Sequence, residues 1–295
     1  MQSADFLSAV FFYLKVGENL NQNWIVENLN NAFSTWNGKL GELWGLVTTG
    51  PQTFKGGAVW SVMQTLHNGM VGIGYALVVL FFAISLCKNT MNFHELKRPE
   101  AAIHYLIRFV AAKALVGYGM DIMLNVFSIC NGIVTDMADS MGGISEAMVS
   151  LPAEMQTAIE NVGFLASIPL WLVTILGSLF ITVLSFVMIL TVYGRFFRLY
   201  MYTALAPLPL AAFAGESTQS VGISFLKSYV GVCLEGAVIV LACVIYSAFV
   251  STPTVTSGEA TTIVWSYLAE TVFNMLVLVG LIKGSDRIIH EMMGL

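Results

Sequence analysis

Five ionisable side chains stand inside stretches that are otherwise apolar: Arg108, Lys113, Asp121, Glu235 and Glu270. A charge placed in hydrocarbon is costly, so such residues face a bundle interior, a partner charge or water. Two chemistries suit them. They can form buried ion pairs that fix helix packing, or they can line a hydrated path or couple to ions. Arg108 lies about two turns into its stretch and can extend its stem back to the interface. Lys113 is deeper. Asp121 is about 80° around a continuous helix from Lys113, so both can face one polar path or one neighbouring helix. Glu235 and Glu270 each lie about two turns in, from opposite ends, and either can pair with Lys113.

Catalytic groupings are missing from the pattern. His67, His94, His104 and His290 are scattered, with no H-E-x-x-H, no phosphate-binding G-x-x-x-x-G-K-[ST] and no G-x-S-x-G. The chain does not read as an enzyme, and no cofactor or metal is expected. Cys87, Cys130, Cys233 and Cys243 form no C-x-x-C pair and sit among apolar residues. They read as small buried side chains rather than as a disulfide or metal site. No basic run of the kind that grips DNA occurs.

Composition fixes the solvent. The chain is 57% hydrophobic and 11% charged, with a mean hydropathy of +0.77. A soluble domain carries about 25% charged residues, so this is an all-α, polytopic membrane protein. A spanning helix needs about 20 apolar residues. Five candidates appear, at about 66–87, 101–126, 165–194, 228–250 and 262–282. Residues 1–65 supply none and read as amphipathic, extracytoplasmic or interfacial helices, apart from a transmembrane domain over 66–295. In "NWIVENLNNAFSTWNGKLGELWGLV", Ile25, Leu29, Phe33, Trp36 and Leu40 share one face. Membrane lipid or a partner subunit can cover that face. The opening "MQSADFLSAVFFYLK" does not read as a secretory leader.

One segment is anomalous. No charge lies between Arg198 and Glu216, yet Pro207 and Pro209 interrupt the run. Lysine and arginine concentrate on the cytoplasmic side of membranes. The loop with Lys88, Lys97 and Arg98, the region of Arg195, Arg198 and Lys227, and the tail with Lys283 and Arg287 all become cytoplasmic only if about 199–215 does not cross. Five spans then put the N-terminus outside and the C-terminus inside the cell membrane. The segment 199–215 is expected to be re-entrant. Irregular backbone at membrane depth must be covered by protein or line water. Arg195, Arg198, Pro207 and Pro209 would form a cytoplasmic-side collar; a cytoplasmic hairpin with no pore role is the other reading.

The stretch "ALAPLPLAAFA" preceded by "YGRFFRLYMY" resembles the TrbL-type polytopic inner-membrane component of conjugative type IV secretion systems. The layout is similar: a long apolar helix (Trp171–Tyr193), an arginine and aromatic patch (Arg195–Tyr202), an A-x-A-P-L-type segment (Leu205–Leu210) and two further spans. The closing "LIKGSDRIIHEMMG" also resembles compact versions from conjugative elements. The resemblance implies five spans and a homo-oligomeric ring. It implies partnership with other type IV secretion subunits, including their ATPases. It also implies a channel role in passing single-stranded DNA with its relaxase. A secondary transporter of small solutes and an assembly scaffold outside the path are the alternatives. The transporter reading is weakened by the lack of a second broken segment.

Overall fold

The computed structural model describes residues 2–90, 99–140, 148–162, 164–249 and 260–294. The described residues are helical throughout apart from short turns: α1 (Gln2–Thr48), α2 (Ala58–Thr90), α3 (Pro99–Gly117), α4 (Gly119–Ser140), α5 (Ala153–Glu160), α6 (Phe164–Leu205), α7 (Pro207–Ala211), α8 (Gln219–Phe249) and α9 (Ala260–Met293). Four helices are long and apolar enough to cross a membrane, in Phe54–Lys88, Ser167–Leu205, Gln219–Phe249 and Thr262–Met293. The bent pair α3 and α4 makes a fifth if it counts as one span.

Three expected elements differ in form. The stretch 101–126 is not one straight helix: α3 and α4 meet at 73°. The break falls at Gly117–Tyr118–Gly119, where small residues admit close neighbours. A Cβ on Gly117 would lie 2.8 Å from the Tyr75 hydroxyl, and one on Gly119 3.2 Å from Leu210 Cδ1. Gln2–Thr48 form one long helix rather than several short ones, and no proline occurs before Pro51 to stop it. Finally, α6 does not end near 194 but runs on to Leu205. At 1.5 Å per residue its length is about 60 Å, against a hydrocarbon core of about 30 Å. Gly194 alone does not break it, whereas Pro207 removes a backbone donor and stops it. Residues 199–205 of the expected re-entrant segment therefore continue a helix, and the part from Pro207 is a separate short helix followed by a 3-10 turn.

The chain divides into two compact units. The first comprises Met1–Trp44, Met141–Thr191 and Leu241–Lys283. Here the apolar face of α1 is covered by the chain itself: Ile25, Leu29, Phe33, Trp36 and Leu40 are all buried. Asn28 Nδ2 donates to Ser178 Oγ of α6 (3.0 Å), and Phe33 meets Tyr267 of α9 edge-on at 6.5 Å. Asn37 exchanges two hydrogen bonds with the backbone of Val149, donating to its carbonyl at 2.8 Å and accepting from its N–H at 2.9 Å. The face expected on lipid or on a partner thus packs internally.

The second unit comprises Gly45–Ser140, Val192–Val240 and Gly284–Leu295. In it α7 and the 3-10 turn Ala212–Ala214 pack against α2 and α3. Gly74 makes this contact close: a Cβ there would lie 2.9 Å from Val116 Cγ1 and 3.0 Å from both Cβ and O of Pro207. The turn before α2 is held by aromatic rings of α6. Phe54 stacks on Phe196 at 4.0 Å, and the Tyr200 hydroxyl donates to the Pro51 carbonyl at 2.8 Å. The aromatic patch beside the two arginines is thereby given a packing role.

Candidate functional site: a buried charge cluster and an exposed set

The second unit holds a cluster built on α6. Arg195 and Arg198 are three residues apart, so they occupy neighbouring positions on one side of the helix. Arg195 is fully buried. Its guanidinium donates to three backbone carbonyls: Nε to Val232 (3.3 Å), Nη2 to Cys233 (3.1 Å) and Nη1 to Val47 (3.3 Å). Val47 lies in the last turn of α1, whose carbonyls lack helical partners and carry negative partial charge. The Phe127 ring lies 6.0 Å from Cζ, within cation–π range. Gly236 provides the space. A Cβ there would come within 2.7–2.8 Å of three guanidinium atoms.

Arg198 reaches a different set of partners. Its Nη2 lies 2.7 Å from both carboxylate oxygens of Glu235, and its Nη1 pairs with Asp286. Glu235 is 1% exposed and also accepts from Ser285 Oγ at 3.2 Å. Asp286 is 44% exposed and lies 3.6 Å from His290 Nε2. Two cations thus face two carboxylates across α6, α8 and α9, with α1 joined through a carbonyl. A buried charge is tolerable when it is paired and hydrogen-bonded; Arg198 and Glu235 meet both conditions, and Arg195 is held by hydrogen bonds to carbonyls. Among the described residues no catalytic nucleophile–base pair accompanies the cluster, and its geometry ties helices together.

The other candidates are not brought together. Glu235 pairs with Arg198 and not with Lys113. Lys113 and Asp121 are exposed and lie on opposite sides of the α3–α4 bend, which removes the shared helical side expected of them. Glu270 is exposed on α9. Among the described residues these three make no ion pair. Arg108 approaches Glu216 at 3.8 Å. Pro207 is buried at the start of α7. Pro209 lines an apolar pocket of about 480 Å³ with Arg198, Met201, Tyr202, Leu205 and Phe225. All four cysteines are free thiols; Cys130, Cys233 and Cys243 are buried as expected, but Cys87 is exposed.

Sequence reasoning missed Ser285, Asp286, Gly236 and Glu216. Asp286 and Ser285 stand in "LIKGSDRIIHEMMG", whose likeness was noted without singling them out. The signal for Gly236 was its place directly after an intramembrane acid, where a small residue leaves room for a partner's head group.

The family model of the TrbL/VirB6 plasmid conjugal transfer like protein matches residues 36–207. That is more than half of the chain, and the chain belongs to this family. The match ends at Pro207, so it takes in both arginines and the first proline but not the closing segment Leu281–Gly294. Comparison with curated proteins and with solved structures returns no match.

Proposed function

We propose, from membership of the TrbL/VirB6 plasmid conjugal transfer family, that the chain is a non-enzymatic subunit of a conjugative type IV secretion system. It sits in the cell membrane with its N-terminus outside and its C-terminus inside. It assembles as a homo-oligomeric ring with other secretion subunits, including the ATPases, and helps form the path for single-stranded DNA with its relaxase. The family match over residues 36–207 is the observation that carries this reading. Two further features support it. Lys113, Asp121 and Glu270 are exposed charges on helices of a membrane protein, where a subunit interface, water or lipid head groups must meet them. The 73° bend between α3 and α4 makes irregular backbone, which needs protein or water around it.

In this reading the candidate residues other than Arg108, which lies beside Glu216, divide. Arg195, Arg198 and Glu235 hold the helices, and Pro207 and Pro209 shape the segment that packs on α2 and α3. Lys113, Asp121 and Glu270 face the path or the neighbouring subunit. The test is mating frequency of the parent element after in-frame deletion, with complementation by wild type, Lys113→Ala or Asp121→Ala. Loss of transfer that wild type restores supports the conjugation role, and failure of the variants at normal membrane levels supports the path or interface. Unchanged transfer after deletion would refute the conjugation role. Labelling of Lys113→Cys and Asp121→Cys by a membrane-impermeant thiol reagent separates path from scaffold; unlabelled sites would favour a scaffold outside the path.

A further inference from the structure

A cavity of about 560 Å³ opens between α3 and the segment that follows α7. Its size is in the range of small-ligand sites, about 300–1,000 Å³. Its lining is amphiphilic. Ile107, Leu115 and Phe213 form apolar wall, while Arg108, His104 and Glu216 supply polar groups. The cation and the carboxylate lie 3.8 Å apart, longer than a hydrogen bond, and are 32% and 65% exposed. A surface pair this loose contributes little to stability, so the two groups are available to a ligand.

The charges define what fits. A simple anion would satisfy Arg108 and be repelled by Glu216; a simple cation would do the reverse. A ligand with a phosphate and a primary ammonium a few bonds apart satisfies both. It places the phosphate on the guanidinium, which favours bidentate contact, and the ammonium on the carboxylate. The apolar wall demands a hydrocarbon tail on the same molecule. A multi-pass membrane protein meets one abundant molecule of this kind. We propose that this cavity binds an amine-bearing phospholipid, of the phosphatidylethanolamine type, with its phosphate on Arg108, its ammonium on Glu216 and its acyl chains along Ile107, Leu115 and Phe213. The site does not depend on the conjugation role, since it needs only a bilayer around the chain.

The test uses the full-length protein in detergent, with bound lipid read by native mass spectrometry after addition of phosphatidylethanolamine, phosphatidylcholine or phosphatidylglycerol of identical chains. Phosphatidylcholine keeps the positive charge without N–H donors, and phosphatidylglycerol keeps the phosphate alone. The wild-type protein should retain phosphatidylethanolamine about tenfold more strongly than either, the factor for one charge-assisted hydrogen bond. Glu216→Gln should abolish the preference over phosphatidylglycerol while leaving phosphate binding. Arg108→Gln should weaken all three lipids. Circular dichroism and gel filtration check that both variants remain folded. Equal retention of the three lipids by the wild type, a preference for phosphatidylglycerol, or an unchanged preference in Glu216→Gln would each overturn the proposal.

Discussion

Arg198→Gln is the sharpest perturbation of the cluster. It removes the partner that lies 2.7 Å from both oxygens of Glu235 and leaves that carboxylate, 1% exposed, with the Ser285 hydroxyl as its remaining direct contact in the cluster. Removing one partner of a buried ion pair costs about 3–5 kcal/mol. The Arg198 side chain is 28% exposed, so water already screens part of the pair, and about 3 kcal/mol is the expected loss. That is roughly 150-fold in the unfolding equilibrium. The second contact adds little, because Asp286 is 44% exposed and pairs of that exposure are worth about 0–1 kcal/mol. The assay is thermal unfolding of the purified protein in detergent, where a loss of this size lowers Tm by about 5 °C. Adding Glu235→Gln to the same chain removes the stranded charge and should recover most of the loss. Asp286→Asn alone should stay within about 1 kcal/mol of wild type. The reasoning fails if Arg198→Gln melts with the wild type, or if the double variant is as unstable as the sum of the two single ones.

Three further outcomes follow from contacts elsewhere. Gly236→Ala puts a methyl within 2.7–2.8 Å of a locked guanidinium, so it should destabilise by about 1–3 kcal/mol; Arg195→Met in the same chain should relieve part of that, read as a non-additive double-mutant cycle. Gly74→Ala pushes Pro207 and Val116 from 3 Å contacts and should cost a similar ~1–3 kcal/mol, with increased protease cleavage near α7 as a local readout. Asn37→Ala in the first unit deletes both hydrogen bonds to Val149 and should cost about 1–3 kcal/mol in the same melt.

Periodicity carried the sequence reading furthest where one face repeats. Ile25 to Leu40 were legible as a buried stripe because a helical period shows in residue type. What covers the stripe was not legible, since lipid, a partner and the chain's own α6 and α9 all accept the same apolar face. The α6 boundary failed for a related reason. A change from apolar to Arg-rich sequence marks where hydrocarbon should end, but hydrogen bonding of the backbone does not stop there. Pro169 lies near the start of the helix and is passed over, whereas beyond the arginines Pro207 withdraws a donor and the helix ends beside it. The α3–α4 bend was hidden because glycines at 117 and 119 are tolerated in helices, and the packing of Tyr75 and Leu210 on them is a tertiary contact.

The charges illustrate what residue type alone conceals. Arg195, Arg198 and Glu235 look like Arg108, Lys113, Asp121 and Glu270 in a hydropathy profile. The first three are neutralised by carbonyls and each other inside one unit, at separations that no sequence spacing encodes. Lys113, Asp121 and Glu270 remain exposed and among the described residues lack ion-pair partners within the chain. A membrane protein keeps such a charge only where something outside the chain meets it. Its neutralisation must come from water, lipid head groups or another subunit, and each makes a different demand. Water makes Lys113→Cys reactive to an impermeant reagent, whereas head groups make it indifferent to the presence of the rest of the secretion machine. A subunit contact makes its labelling fall when the machine assembles. Comparing labelling of Lys113→Cys in cells with and without the remaining transfer proteins therefore tests the proposed contact with other secretion subunits: protection that depends on assembly supports it, and identical labelling in both would remove Lys113 from any interface with those subunits.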